Sequence, residues 1–269
     1  GGTFRIFEFY EAQYDIRFKY VDFDDLEDVK KNRNSSTKSF CIEPITNPSM
    51  IEVSLEEVYE LAREYGIMTI IDNTFLTPYY YTPISDGADI VLHSATKYIG
   101  GHNDVLAGVV TVKDESLGDT LSIHHNMIGA TLSPFDGYLL LRGLKTLHLR
   151  MDRATENAKQ LSEYFTGHEA IDEVLYPGRT GMLSLRLHKT YDVGALLQNI
   201  KVCTFAESLG GTETFITFPF TQTHADMPDE ERIKRGIDDH LIRLSIGIED
   251  VKDIRDDLTQ ALAKSKREV

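Results

Sequence analysis

Two apolar runs in the sequence end in side chains that could do chemistry. The first, Ile70–Ile71, leads into Asp72-Asn-Thr74, and the second, Leu92–His93, leads into Ser94-Ala-Thr-Lys97. If the runs are strands of one open α/β sheet, both groups follow the C-terminal ends of strands, where ligands of such sheets bind. The two segments could therefore line one crevice.

An amine and a carboxylate in such a crevice suit Schiff-base chemistry. A desolvated lysine loses its proton more readily and becomes nucleophilic, and Lys97 fits this description. The cofactor pyridoxal 5'-phosphate (PLP) binds to a lysine in this way and needs a carboxylate to keep its ring nitrogen protonated, a role that fits Asp72. Its phosphate needs hydrogen-bond donors, and the hydroxyls of Ser94 and Thr96 could supply them. We therefore predict PLP as the cofactor.

Other interpretations of these residues are weaker. Taken singly, a strand-end aspartate is most often a cap, and a lysine before glycines is usually solvated. Ser94-Ala-Thr-Lys97 also matches the S-x-x-K signature of serine acylases, but the S-D-N and K-T-G motifs that accompany it are absent from the sequence. For metals, the adjacent His124 and His125 diverge on regular structure, and His93 and His102 have no partner at ligand spacing. No metal site is predicted.

Short β-branched runs alternate with helical patterns in the first half of the chain, which is typical of an α/β fold with a parallel sheet. Ser54-Leu-Glu-Glu57 has the form of a capping box, and Val58, Leu61 and Ala62 follow at helical spacing, which predicts a helix. The predicted strands are Thr37–Glu43, Met68–Asn73, Asp89–His93 and Ala107–Val112.

The second half begins with a helix-forming run from Phe135 to Phe165, and we place a domain boundary within it, near His148. This divides the chain into a large domain, residues 1–148, and a smaller α+β domain, residues 149–269. The smaller domain is predicted to contain the strands Met182–Leu187, Lys201–Ala206, Thr214–Phe218 and Leu241–Ile246, and a final helix with Val251, Ile254, Leu258 and Leu262 on one face.

The composition argues against several classes of function. A net charge of −15 repels phosphate backbones, so we expect no nucleic-acid partner. No stretch is apolar enough to span a membrane, and the chain does not open on a basic region followed by an apolar run, so we expect a cytoplasmic protein. Cys41 and Cys203, the only cysteines, each lie in an apolar run and are expected to be buried, reduced thiols.

Three longer motifs resemble those of the cysteine and methionine metabolism family of PLP-dependent enzymes. They are Asp72-Asn-Thr-Phe75, Ser94-Ala-Thr-Lys-Tyr-Ile-Gly-Gly-His102 and Ala206-Glu-Ser-Leu-Gly-Gly-Thr-Glu213, and the similarity extends over the whole chain. The resemblance implies an aspartate-aminotransferase-like fold (PLP fold type I), in which a large domain is followed by a smaller α+β C-terminal domain. It also implies a homo-oligomer, usually a tetramer of two tight dimers.

The resemblance assigns roles around the cofactor. Lys97 would carry PLP, Asp72 would contact the ring nitrogen, and Thr74 would lie against the ring. Ser94 and Thr96 would bind the phosphate.

The resemblance also assigns roles around the substrate. Asn47 would approach both the cofactor hydroxyl and the substrate carboxylate, which Arg243 would clamp with its two-pronged guanidinium. Ser208 would orient Lys97 and the substrate, and Glu207 would contact the substrate. Without the resemblance, Asn47 before a proline is more simply a turn former, and Arg243 on an apolar strand is half of a structural ion pair.

Within the family, Glu207 and the segment Phe218–Pro228 are more similar to cystathionine γ-synthases than to β-lyases. This similarity implies a transferase of methionine biosynthesis that replaces the acyl group of O-acetyl- or O-succinyl-homoserine with cysteine and gives cystathionine, a transsulfuration reaction. Cystathionine γ-lyase and acylhomoserine sulfhydrylase share these residues and stay open as alternatives. A catalytically silent relative of the fold is a remote alternative.

Family members carry a further segment ahead of the Gly-Gly-Thr with which this sequence begins. That segment normally supplies a tyrosine that stacks on the PLP ring, a glycine-containing loop for the phosphate, and a tyrosine and an arginine that reach the neighbouring subunit. From the resemblance we expect the large domain to lack this N-terminal part.

Overall fold

The computed structural model describes residues 2–222 and 229–267. These residues form two β-sheets with helices packed against them, which confirms the α/β prediction. Of the segment Phe218–Pro228, the part from Thr223 to Pro228 lies outside the described residues. No described helix combines the length and the apolar character that crossing a membrane requires.

The first sheet has the strand order β1-β2-β3-β4. Its region contains α1 (Gly2–Tyr14), α2 (Leu26–Asn32), β1 (Ser39–Ile42), α3 (Leu55–Tyr65), β2 (Met68–Asp72), α4 (Thr77–Tyr80), α5 (Pro83–Asp86), β3 (Ile90–Ser94) and β4 (Gly108–Val112). The strands β1, β2 and β3 are parallel, as predicted, whereas β4 is antiparallel to β3. A parallel partner needs a crossover connection, usually a helix, and only the loop 95–107 joins β3 to β4.

Helix α3 forms where the capping-box pattern predicts it, but without the predicted cap. Ser54 is the N-cap residue, and its side chain makes no capping hydrogen bond at φ −74° and ψ 88°. At its other end, Gly66 takes the left-handed φ of 64°, and its N–H donates to the carbonyls of Ala62 and Arg63. The start of the helix is therefore held by its apolar face rather than by a side-chain N-cap, with Leu55, Val58, Tyr59, Leu61 and Ala62 buried.

Three helices follow the first sheet: α6 (Glu115–Ile128), α7 (Pro134–Leu144) and α8 (Leu147–Phe165). The predicted single helix from Phe135 to Phe165 is wrong, because the chain leaves helical geometry at Thr146, with φ −111° and ψ 7°. Next to this break, the carbonyl of Gly143 accepts hydrogen bonds from the side chain of Arg150, at 2.9 Å, and from the Thr146 N–H, at 3.1 Å. These contacts stabilise the kinked connection between α7 and α8.

The second sheet has the strand order β5-β6-β9-β8-β7. Its strands are antiparallel to their neighbours except for the parallel pair β7 and β8. The elements are β5 (Ile171–Leu175), β6 (Met182–Leu187), α9 (Val193–Asn199), β7 (Thr204–Phe205), β8 (Phe215–Thr217), α10 (Asp229–Lys234), β9 (Leu241–Ser245) and α11 (Val251–Ser265).

Two strands of this sheet differ from the prediction. β5 is missed by the sequence pattern, because its Asp172 and Glu173 interrupt a short apolar run on an edge strand. β7 contains only two residues of the predicted strand Lys201–Ala206. The N–H groups of Lys201, Val202 and Cys203 instead donate to the carboxylate of Asp257 on α11, at 2.8–3.0 Å, so they are not available for strand pairing.

The two cysteines also differ in their environments. Cys203 is 5% exposed within the core of the second sheet, as predicted. Cys41 is exposed, which corrects the prediction that both thiols are buried, although both are free. Side chains alternate between the two faces of β1, and Ser39 and Cys41 lie on the exposed face.

The predicted domain boundary near His148 falls in the first turn of α8, between the strands of the first sheet and those of the second. The inner face of α8 packs against the second sheet and α11 through Ala158, Leu161 and Phe165. The division into residues 1–148 and 149–269 stays a prediction.

Candidate active site

The C-terminal ends of β2 and β3 place polar side chains at one edge of the first sheet. Asp72 is the last residue of β2, and Ser94 is the last residue of β3. One oxygen of Asp72 accepts from both the N–H and the hydroxyl of Thr74, at 3.1 and 2.5 Å. The Thr74 hydroxyl in turn accepts from the backbone N–H of Ser94, at 2.9 Å. This chain of hydrogen bonds fixes the two strand ends relative to each other.

Lys97 lies in the turn that follows β3 and is partly buried. Its Nζ donates to the hydroxyl of Ser208, at 3.3 Å, in the loop between β7 and β8. Burial lowers the pKa of Lys97, and the positive charge of Arg243 lowers it further, whereas the negative charge of Glu207 acts in the opposite direction. The amine is therefore closer to its neutral, nucleophilic form than a solvated lysine.

The backbone beside Lys97 is held by Arg150 of α8. Arg150 is 6% exposed, and its guanidinium donates to the carbonyl of Tyr98, at 2.7 Å. Gly101 has φ 74°, and a Cβ at this position would collide with the Arg150 guanidinium. The glycine that follows the lysine motif therefore gives the arginine access to this carbonyl.

A second glycine pair brings Ser208 to Lys97. Gly210 has φ 74°, and an added Cβ would lie 2.6 Å from the backbone nitrogen of Tyr98. Its own N–H donates to the hydroxyl of Ser245 on β9, at 2.8 Å. Because Gly210 has no side chain, the loop that carries Ser208 can pack directly on the backbone that follows Lys97.

Arg243 of β9 is 1% exposed and makes no ion pair with a carboxylate among the described residues. Its guanidinium donates to Asn47 Oδ1 at 3.0 Å, to the Thr217 hydroxyl at 2.9 Å, and to the carbonyls of Glu207 and Ser208 at 3.3 and 3.4 Å. Its Nε is buried and has no partner within the described residues. Burial lowers the pKa of Arg243 to about 10. A buried cation of this kind can receive a carboxylate.

The structure brings most of the predicted site residues into two connected groups. Lys97, Ser208, Glu207, Asn47 and Arg243 form one group, which joins the two sheets. Asp72, Thr74 and Ser94 form the other group.

Thr96 differs from the other predicted phosphate ligand. Its hydroxyl donates to the carbonyl of Ala107 at 3.2 Å and accepts from the N–H of the same residue at 2.9 Å. In this structure, Thr96 therefore holds the loop between β3 and β4.

Sequence reasoning missed two residues that bear on this site, Glu43 and Arg150. Arg150 could be found from the sequence, because it lies at helical spacing with Leu147, Met151 and Ala154. A charged side chain on this buried face of α8 is unusual and points to a specific role. Glu43 directly follows β1, at the same edge of the sheet as Asp72, so it carried the same strand-end signal.

The chain is similar in sequence to known enzymes. The family model for Cys/Met metabolism PLP-dependent enzymes matches residues 1–263. A cystathionine γ-synthase/O-acetylhomoserine (thiol)-lyase of Bacillus subtilis is 49% identical over 99% of this chain and 71% of its own length. A cystathionine γ-synthase of Haemophilus influenzae is 47% identical over 99% of this chain and 72% of its own length.

The fold of the chain also matches that of a solved structure. The crystal structure of a cystathionine γ-lyase from Lactobacillus plantarum, complexed with L-serine, superposes with a TM-score of 0.95 at 36% identity, covering 98% of this chain and 74% of that one. The expected aspartate-aminotransferase-like fold and the expected PLP cofactor are thereby confirmed. The chain belongs to the Cys/Met metabolism family of PLP-dependent enzymes, whose substrates are small amino acids.

Proposed function

We propose that this chain catalyses γ-replacement on O-acetyl- or O-succinyl-homoserine, with cysteine as the incoming thiol and cystathionine as the product. Two relatives with γ-synthase names, at 49% and 47% identity, support this reaction. The single observation that carries the catalytic assignment is the 3.3 Å hydrogen bond from Lys97 Nζ to Ser208, made beside the buried Arg243.

The residues present fit PLP. Lys97 offers an amine of lowered pKa, and Asp72 offers a carboxylate at a strand end, held by Thr74. When bound, PLP withdraws electrons from the α-carbon of an amino-acid substrate. In our proposal Lys97 carries the cofactor, and Asp72 stabilises the positive charge of its ring nitrogen. Thr74 would lie against the ring, and its hydroxyl fixes the orientation of Asp72.

The remaining cofactor contacts involve hydroxyl and amide groups. Ser94 would donate to the phosphate, and Asn47 would reach the cofactor hydroxyl. Thr96 is also assigned to the phosphate. Because the Thr96 hydroxyl donates to the carbonyl of Ala107 in this structure, it must rotate before it can donate to the phosphate.

The substrate is held mainly by Arg243. Its guanidinium is already oriented by Asn47 and Thr217. Its Nε has no hydrogen-bond partner among the described residues, so it can donate to a new acceptor. We assign the α-carboxylate of the substrate to Arg243 and Asn47. Glu207 is exposed next to this pair, so we assign it to the part of the substrate that extends towards solvent.

Lys97 also moves the protons of the reaction. Its amine removes the proton of the α-carbon and then serves as base and acid at the β-carbon. Ser208 holds Nζ in place during these transfers through the hydrogen bond described above. The Cγ–O bond breaks and the acyloxy group leaves as the free carboxylate, and the sulfur of cysteine then bonds to the γ-carbon with loss of its thiol proton.

The reaction is tested by incubating the PLP-loaded protein with O-succinyl- or O-acetyl-homoserine and cysteine, and by identifying the products by mass spectrometry. Formation of cystathionine and release of the acyl acid support the proposal. If cystathionine is not formed from either ester, the proposed reaction is wrong.

A cystathionine γ-lyase is the second candidate, because a γ-lyase structure superposes on the chain with a TM-score of 0.95. The same assay, started with cystathionine alone, separates the two candidates, since a lyase releases cysteine and 2-oxobutyrate. Replacement of cysteine by sulfide tests the sulfhydrylase alternative, whose product is homocysteine.

The assembly, the location and the domain division complete the proposal. We infer a cytoplasmic homotetramer of two tight dimers, with domains at residues 1–148 and 149–269. Support for association comes from α6 and α7, where many large apolar side chains are exposed. They include Ile123, Met127, Ile128, Phe135, Leu141 and Leu144. Light scattering of the purified protein tests the tetramer.

A further inference from the structure

Glu43 lies beside Asp72 at the edge of the first sheet. β1 and β2 are parallel, with Ile42 paired to Ile71, so the next residues along the two strands, Glu43 and Asp72, are also neighbours. Residues in register on parallel strands point to the same face, and the exposed face of β1 is the one that carries Cys41. Glu43 therefore points to the same side of the sheet as Asp72.

Glu43 also faces the residues assigned to the substrate. The backbone N–H of Asn47 and the guanidinium of Arg243 both favour its ionised form, but burial and the charge of Asp72 outweigh them. Burial acts most strongly and, with Asp72, raises the pKa of Glu43 to about 7. Glu43 is nevertheless exposed, so its carboxylate is accessible to solvent although protein atoms surround it.

We propose that Glu43 is a positioning residue of the active site. Its carboxylate accepts from the Asn47 N–H and so positions the turn at Asn47. Its negative charge acts on the neighbouring Asp72, which is assigned to the cofactor ring nitrogen. The inference rests on the proposed function for the role of Asp72, but the charge next to Asp72 exists with or without the cofactor.

The charges around Glu43 determine how its ionisation acts on the neighbouring groups. Asp72 on β2 and Cys41 on β1 lie on the same face, and Arg243 approaches from β9. An ionised Glu43 raises the proton affinity of its acidic neighbours and favours a positive charge on the ring nitrogen. A neutral Glu43 removes both effects.

Cys41 reports this charge in the protein without added cofactor. Desolvation by the surrounding protein atoms, most strongly, and the charges of Asp72 and Glu43 together raise the pKa of the Cys41 thiol to about 11, although part of the side chain is open to solvent. In Glu43→Gln, alkylation of Cys41 by iodoacetamide above pH 8 should be about threefold faster, because one neighbouring negative charge is gone and only the thiolate reacts. Cys203 is buried and should not interfere. Glu56→Gln, an exposed carboxylate on α3, is the matched control. Equal rates in Glu43→Gln and Glu56→Gln would overturn the electrostatic part of the inference.

The second readout uses the PLP-loaded protein. We expect the visible absorption of bound PLP to show an inflection near pH 7 in the parent and in Glu56→Gln, to lose it in Glu43→Gln, and to keep it in Glu43→Asp, which retains the charge. The KM for the amino-acid substrate should rise in Glu43→Asp, whose shorter side chain moves the acceptor oxygens away from the Asn47 N–H, whereas Glu43→Gln keeps an acceptor oxygen at the same reach. A Glu43→Gln absorption profile equal to that of the parent, together with an unchanged KM in Glu43→Asp, would refute the inference. If the parent itself forms no absorption band with PLP, the proposed function fails, whereas the alkylation result still decides the role of the charge.

Discussion

Lys97 and Ser208 lie 3.3 Å apart, from Nζ to Oγ, although 111 positions separate them in the sequence. Lys97 belongs to the loop after the third strand of the first sheet, and Ser208 belongs to a loop of the second sheet. The hydrogen bond therefore joins the two sheets at the amine that we assign to the cofactor. Its geometry depends on how the sheets pack together, not on either loop alone.

Ser208→Ala should lower kcat by about tenfold while the protein stays folded, because the Lys97 amine loses the group that orients it for proton transfer. Steady-state kinetics of Ser208→Ala and Ser208→Thr test this role. The threonine variant keeps a hydroxyl and should recover most of the rate. If the two variants are equally slow, loop packing rather than the hydroxyl supports the reaction.

Arg243→Lys should raise the KM for the amino-acid substrate and lower kcat/KM by about 100-fold, because a lysine cannot make the two-pronged contact with a carboxylate. The guanidinium is buried and also organises Asn47 and Thr217, so the thermal midpoint must be measured for the same variant. An unchanged KM in a folded Arg243→Lys protein would show that the substrate carboxylate binds elsewhere.

Parts of this site could be predicted from the sequence, because they are contiguous in it. Asp72 and Lys97 each follow a recognisable strand, and the position of such strand ends in an α/β sheet is general. The contact between Arg243 and Asn47 spans 196 positions, and no local periodicity encodes it. Family resemblance, not spacing, pointed to these residues.

The fold has the same limit. The strands β1, β2 and β3 follow from apolar runs, whereas the break between α7 and α8 coincides with a hydrogen bond from the Arg150 side chain to the Gly143 carbonyl, which no apolar period predicts. The shortening of β7 likewise depends on Asp257, which lies far along the chain on α11. A sequence pattern predicts a helix or strand from the residues of that element alone. It cannot show how a side chain far along the chain changes the element.

Gly101→Ala should destabilise the protein by about 3 kcal/mol, because the left-handed conformation costs an alanine about 1 kcal/mol and the displaced Arg150 loses buried hydrogen bonds. Gly129→Ala is a matched control, since Gly129 also has φ 74° but its added Cβ would meet open space. Urea unfolding should give about 1 kcal/mol for this control. Similar losses in both variants would mean that the contact with Arg150 has little weight.

Asp257→Asn should destabilise the protein by about 2 kcal/mol at neutral pH, because the carboxylate accepts the N–H groups of Lys201, Val202 and Cys203. Desolvation raises the pKa of Asp257, but the three backbone N–H groups outweigh it, so the net pKa in the folded protein is lowered. The stabilisation is therefore present above the pKa of the unfolded chain and is lost as the pH falls through the lower folded pKa.

Urea unfolding of the parent and Asp257→Asn from neutral to acidic pH tests this linkage. The difference in unfolding free energy between them should shrink as the pH falls. Asp256→Asn, a substitution of an exposed neighbour with a side chain 67% accessible, should change stability little at any pH. A difference between parent and Asp257→Asn that stays constant into the acidic range would contradict the role of the charge.

The central claim is that Lys97 carries the cofactor. We would incubate the purified protein with PLP, reduce it with borohydride, and map the modified lysine by mass spectrometry beside Lys97→Ala and the exposed-lysine control Lys113→Ala. We expect one modified peptide, the one that contains Lys97, together with a visible absorption band that Lys97→Ala loses and Lys113→Ala keeps. Modification of a different lysine, or an identical band in Lys97→Ala, would show that Lys97 does not carry the cofactor.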